Sequence, residues 1–118
     1  MSEKLSAKRC RFTAALVQLI NFTNQQPGYA AALNEVKRSS AQAQANAESG
    51  AGISNSLHLI GLAADVILYK NGVYQESSEA YRFMGDFWKS LGPDHCWGGD
   101  FTKPIDGNHF SIEHNGVK

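Results

Sequence analysis

The chain has 118 residues, room for one hydrophobic core but not two, so a single domain spanning residues 1–118 is expected. Its 11 basic and 11 acidic side chains cancel, which argues against nucleic acid or an anionic membrane as the main partner, since both reward a basic surface. No apolar run nears the ~20 residues that span a bilayer, and no export signal is visible, so a cytoplasmic chain with both cysteines, Cys10 and Cys96, reduced is expected.

Phe12, Ala15, Leu16, Leu19 and Phe22 recur at three- and four-residue steps, which predicts an amphipathic helix over residues 5–26. Pro27-Gly28 ends it, because proline cannot continue a helix and glycine permits the turn. Cys10 falls on this helix and is expected to pack there. Residues 29–37 are expected as a short strand with Tyr29, Ala31, Leu33 and Glu35 on one face. Ser39 and Gln42 have the spacing of a capping box. The alanines and glutamines that follow favour helix over sheet, so residues 40–48 are expected to be helical. Ser49-Gly50-Ala51-Gly52 stops that helix and leads into a loop.

Residues 62–69 make the clearest strand, with Leu62, Ala64, Val66 and Leu68 on one face and Ala63, Asp65, Ile67 and Tyr69 on the other. Asn71-Gly72 predicts a tight hairpin returning through Val73-Tyr74. Ser77 or Ser78 then caps a helix reaching residue 91, with Tyr81, Met84, Phe87, Trp88 and Leu91 on its buried side. Two short strands, 97–101 and 109–114, are expected to follow, joined by a loop containing Pro104 and Asp106-Gly107. Helices early, strands late and a hairpin between them predict an α+β domain, a small antiparallel sheet with helices packed against one side.

Asp65 is the most informative residue. In an apolar strand an unpaired carboxylate costs several kcal/mol, about 3 or more. A metal ion, an arginine partner or a water-exposed edge would offset that cost. His58 lies seven positions earlier, where an unbroken strand would point the two side chains to opposite faces; Gly61 between them permits the bend that lets them converge. A surface or hydrogen-bonding histidine remains the plainer alternative for His58.

On the last strand His109, Ser111 and Glu113 share a face, while Phe110 and Ile112 point to the core. Asp106 precedes His109 by three residues across an Asp-Gly turn, which can fold the acid back beside the histidine. A His58–Asp65–His109 set leaves tetrahedral zinc an open fourth position for water, and Asp106 is then free to act as general base. His95 and His114 compete for ligation, although His114 falls on the core parity. Cys96 beside His95 has the composition of a nucleophilic pair, but sequence neighbours seldom face each other across a site.

Ser56-x-His58-x-x-Gly61-x-Ala63-x-Asp65 resembles, at all five fixed positions, the S-x-H-x-x-G-x-A-x-D signature of the zinc D-alanyl-D-alanine peptidase family, which includes carboxypeptidases, dipeptidases and phage L-alanyl-D-glutamate endolysins. Asp106-x-x-His109 is similar to its second signature, and Trp97-Gly98-Gly99 to a segment of its phage members. The resemblance runs from about residue 37 to the C-terminus. It implies a Hedgehog/DD-peptidase-like fold, zinc held by His58, Asp65 and His109, Asp106 as general acid/base, and peptidoglycan stem peptide as substrate. It further implies Arg38 as a group that binds the substrate carbonyl or stabilises the oxyanion, and Ser56 as a substrate contact or a support for His58. Many relatives carry glutamate where this chain has Asp106, so the shorter arm needs a closer backbone. The expected function is a phage-type endolysin without a signal peptide, acting on the wall after release. The alternatives are a D-Ala-D-Ala carboxypeptidase or dipeptidase, and a non-catalytic zinc-stabilised wall-binding or phage tail module.

Overall fold

A computed structural model describes residues 3–35, 57–102 and 105–118. The expected helix over 40–48 lies outside the described residues. The first helix, α1, covers Leu5–Asn24 and buries Phe12, Ala15, Leu16 and Leu19 as its spacing predicts. It also buries Thr23, whose hydroxyl is satisfied by donating to the Leu19 carbonyl at 2.9 Å, so a polar residue sits in the core at little cost. Cys10, expected to pack, is instead exposed, because it lies off the Phe12–Leu19 stripe.

Gly28 turns the chain with φ +83° into strand β1, Tyr29–Glu35. β1 pairs antiparallel with β2, Ala63–Lys70, from Tyr29↔Lys70 to Leu33↔Val66. The register then shifts so that Glu35 pairs with Asp65. The alternation expected along 29–37 therefore fails at its end, and Leu33 is exposed. Asn71 and Gly72, at φ 51° and 81°, form the hairpin to β3, Val73–Tyr74; a two-residue turn of this hand needs positive φ at both positions.

A 3-10 turn, Ser78–Tyr81, leads into helix α2, Arg82–Ser90. Ser77 caps the turn by accepting from the Glu79 amide. Met84 and Trp88 of α2 and Tyr81 before it are buried, and the Tyr81 hydroxyl ties Leu68 N to the Gln75 carbonyl, each at 3.0 Å. Strands β4, His95–Trp97, and β5, His109–Ile112, complete a sheet in the order β1-β2-β5-β4, with β3 paired to β2 and every pairing antiparallel.

The late strands differ from expectation at their edges. The strand expected over 97–101 ends at Trp97, and Gly98–Asp100 is a 3-10 turn. A side chain at Gly98 would strike the Asp106 carbonyl, and one at Gly99 would strike the Trp97 ring, so the two glycines let this turn fold tightly onto its neighbours. The last strand stops at Ile112, and His114 makes an isolated bridge to Val117.

Leu62, Ala64, Val66, Leu68, Phe110 and Ile112 form a core with α1 and α2, which cover one side of the sheet. Phe22 and Phe87 seal the contact between the helices with rings stacked at 4.1 Å. The opposite side of the sheet carries Asp65, Ile67, Tyr69 and His109, as the alternation along β2 and β5 requires. That side carries the site.

Candidate metal centre

Asp65 is fixed on β2 directly across from His109 on β5. His58 reaches the same place through a tight turn, in which Leu62 N donates to the Leu57 carbonyl at 2.9 Å and Gly61 N to the His58 carbonyl at 3.4 Å. Gly61 holds φ +76°, a left-handed conformation that favours glycine. The bend anticipated at Gly61 is therefore real, and it carries His58 back over the Asp65 face.

His58 Nε2 lies 3.4 Å from Asp65 Oδ1, and His109 Nδ1 lies 3.8 Å from the same oxygen. The two imidazoles stand edge to face, 5.5 Å between centroids and at 71°. One donor atom from each of the three residues lies within 4.8 Å of the others. Zinc takes imidazole nitrogen and carboxylate oxygen at ~2.1 Å, so two tetrahedral donors sit ~3.4 Å apart. The donor set and its spacing fit that ion.

Two further observations support the fit. Among the described residues, Asp65 Oδ1, the oxygen nearest both imidazoles, is buried without a hydrogen-bond partner; a carboxylate oxygen in that condition is costly unless a cation faces it. Burial, reinforced by the charge of His58 and opposed by Asp65, pushes the His109 pKa down to about 4. His109 is therefore neutral at physiological pH, the form that a metal requires.

Asp106, three residues before His109, lies on a loop tied down from several directions. Its amide donates to the Gly98 carbonyl at 2.9 Å, and its own carbonyl accepts from His109 N at 3.1 Å. The next residue is held at both ends: Gly107 N donates to Ser78 Oγ at 3.0 Å, and Trp97 Nε1 donates to the Gly107 carbonyl at 2.7 Å. Val66 N closes the loop onto β2 by donating to the Asn108 carbonyl at 2.9 Å. Gly98 and Gly107 leave room for this packing, since side chains there would strike the Asp106 carbonyl and Ser78 respectively. Burial and then the charge of Asp65 raise the Asp106 pKa, with His58 acting in the opposite sense. A raised pKa makes a carboxyl better able to hold a proton it has accepted and to return it.

The structure thus brings together His58, Asp65 and His109, with Asp106 on the loop that leads into His109; Arg38 and Ser56 lie outside the described residues. The competing histidines go elsewhere. His95 faces the core across from Ile112 and packs on Trp88 at 4.6 Å. His114 Nδ1 lies 3.3 Å from Lys8 Nζ. Cys96 alternates with His95 along β4, and burial raises its thiol pKa, so the two form no activated pair. Sequence reasoning missed Ser78 and the indole of Trp97 as anchors of the Asp106 loop. The only signal was the doubled serine before α2: Ser77 suffices as the cap, which releases Ser78 for the loop.

A family model described as D-alanyl-D-alanine carboxypeptidase matches residues 49–112, more than half of the chain and a span that holds all four site residues. Among solved structures, the L-Ala D-Glu endopeptidase ChiX of Serratia marcescens is similar in fold, with a TM-score of 0.74 at 20% identity over 87% of this chain and 78% of that one. A mutant of the vancomycin-resistance D,D-pentapeptidase VanY from a VanB-type resistance cassette, in complex with Zn(II), gives a TM-score of 0.57 at 17% identity, over 86% of this chain and 70% of that one. No curated protein sequence matches.

Proposed function

Because the chain belongs to the D-alanyl-D-alanine carboxypeptidase family and is a zinc metallopeptidase, we propose that it hydrolyses peptidoglycan stem peptides at the L-Ala–D-Glu bond. The convergence of the His58, Asp65 and His109 donor atoms is the observation that carries this reading. Bound zinc supplies an acidified water and a Lewis acid for the scissile carbonyl.

The chain's own groups supply the rest. His58, Asp65 and His109 hold the ion, two of them from paired strands and one from the Gly61 turn. Asp106, kept in place by Ser78, Trp97 and Gly98, takes the proton of the attacking water and delivers it to the leaving amine. Its raised pKa suits the second half of that cycle. Arg38 is assigned to the oxyanion as the counterpart of an arginine that the family places upstream, and Ser56 to substrate contact or to the orientation of His58 by its place in the family signature. Residues 1–118 act as one catalytic domain.

The choice of bond is supported by the likeness to an L-Ala D-Glu endopeptidase. The Trp97-Gly98-Gly99 segment supports a phage-type endolysin that meets the wall after release from the cytoplasm or from a virion. The description of the family favours a second reading, removal of a terminal D-Ala. Mass spectrometry of digested, purified peptidoglycan separates the two. The L-Ala–D-Glu reading predicts L-Ala left on the muramyl lactyl group and peptides that begin with D-Glu. Release of free D-Ala from otherwise intact stems would replace it with the carboxypeptidase reading.

A further inference from the structure

The side of the sheet that carries the metal ligands continues past them toward the hairpin. Along β2 the same parity runs Asp65, Ile67, Tyr69. Tyr69 is the cross-strand partner of Tyr74 on β3, so both rings stand on that side, 6.1 Å between centroids and tilted at 58°. Tyr74 is 48% exposed, and Ile67 and Tyr69 are half-buried. Across the strand pair, Ala32 and Ala30 face Ile67 and Tyr69, and both alanines are exposed. The surface is therefore a low floor with two aromatic rings at its far end, continuous with the metal centre. At about 3.3 Å per residue, Tyr69 lies about 13 Å from Asp65 along the strand.

We propose that Tyr69 and Tyr74 form a platform for the muramyl sugar of the glycan strand that carries the scissile stem peptide. Tyrosine suits such a ligand, because its ring offers an apolar face to the C–H surface of a pyranose and its hydroxyl stays in water or meets a sugar hydroxyl. The length also fits. The L-Ala–D-Glu bond is separated from the sugar by one residue and the lactyl group, about 7 Å of extended chain, with the pyranose ring beyond. A substrate whose scissile carbonyl lies at the metal and whose N-terminal side runs over Ile67 sets that ring on the tyrosines. A D-Ala–D-Ala bond stands three residues further along the stem, about 10 Å more, and its sugar would overshoot them. The platform thus selects glycan-linked substrate and the bond nearest the glycan.

This inference rests on the L-Ala–D-Glu reading, and its test separates the two. Zinc-loaded protein is assayed on a soluble disaccharide-linked stem peptide and on the same peptide with its L-Ala amine capped by a lactyl group and no sugar. The expected result is a preference for the disaccharide substrate in kcat/KM, residing mainly in KM. Tyr74→Ala lowers that preference about tenfold, the scale of one lost ring contact, and Tyr74→Phe, which keeps the ring, retains most of it. Zinc content equal to the parent's confirms that each variant is folded. A parent that cuts the L-Ala–D-Glu bond with no preference, or a Tyr74→Ala variant whose preference matches the parent's, overturns the platform alone. A parent that cuts only D-Ala–D-Ala overturns the endopeptidase reading and the platform together.

Discussion

Asp65 and His109 are direct cross-strand partners, and the Asp65 Oδ1 to His109 Nδ1 distance is 3.8 Å. Two of the three donors of the metal centre are therefore placed by sheet register. Sliding β5 by one residue would turn His109 into the core and Phe110 out of it. The buried side chains of Phe110 and Ile112 hold the ligand in place.

Asp65→Asn is expected to abolish the response of Tm to zinc. The parent should gain stability as zinc is added, because the ion binds only the folded state, and lose that gain on chelation. In metal-free protein the variant should match or exceed the parent, since it removes the negative charge of a half-buried carboxylate whose Oδ1 has no hydrogen-bond partner. Thermal melts with zinc and with chelator check both halves.

Asp106→Asn is expected to keep zinc and lose about 10²–10⁴ in kcat, the usual share of a general acid/base. In the parent, the acid limb of the kcat/KM profile should lie above the pKa of a free aspartate, because burial raises the Asp106 pKa. Activity falls as pH drops through that value, where Asp106 becomes protonated and can no longer accept a proton. Metal content of the variant and a pH series on the parent are the measurements.

Ser78→Ala removes the acceptor of the Gly107 amide and should cost about 1–3 kcal/mol. Its larger effect should be on kcat, with zinc affinity little changed, since the loop it anchors carries Asp106 and the ligands are held by the sheet and the Gly61 turn. Trp97→Phe, which keeps a ring but loses the indole donor to Gly107, should behave alike. Denaturant unfolding beside steady-state kinetics tests the pair.

Arg11 of α1 holds Asp94, just before β4, with two hydrogen bonds at 2.8 and 3.2 Å, and depresses its pKa. Asp94→Asn should cost on the order of 1 kcal/mol or less at neutral pH, because the pair is partly exposed. A depressed carboxylate pKa contributes stability above its unfolded value that is lost as pH falls through the folded one. The difference between variant and parent should therefore shrink in acid, as urea midpoints across a pH series would show.

Much of this site was legible in the sequence because its parts are local or periodic. The parity of residues 62–69 and 109–112 placed Asp65 and His109 on the side away from the core, and Gly61 marked the turn that recovers His58. Periodicity likewise placed α1 and most of the buried side of α2. What escaped was contact between distant segments. Ser78 and Gly107 are 29 residues apart, and nothing local announces their hydrogen bond. The strand ending at Trp97 was misplaced for the same reason, since Gly98 and Gly99 answer to the Asp106 carbonyl and the Trp97 ring. The break in the alternation of β1 is also tertiary, a register shift against β2.

The most direct test of the central claim is to follow peptide hydrolysis against bound zinc in one preparation. The account predicts one zinc per chain, hydrolysis lost on chelation and restored by zinc, and neither zinc nor activity in a His58→Ala/His109→Ala variant. Undiminished hydrolysis in metal-free protein, or full zinc occupancy in that variant, would contradict it.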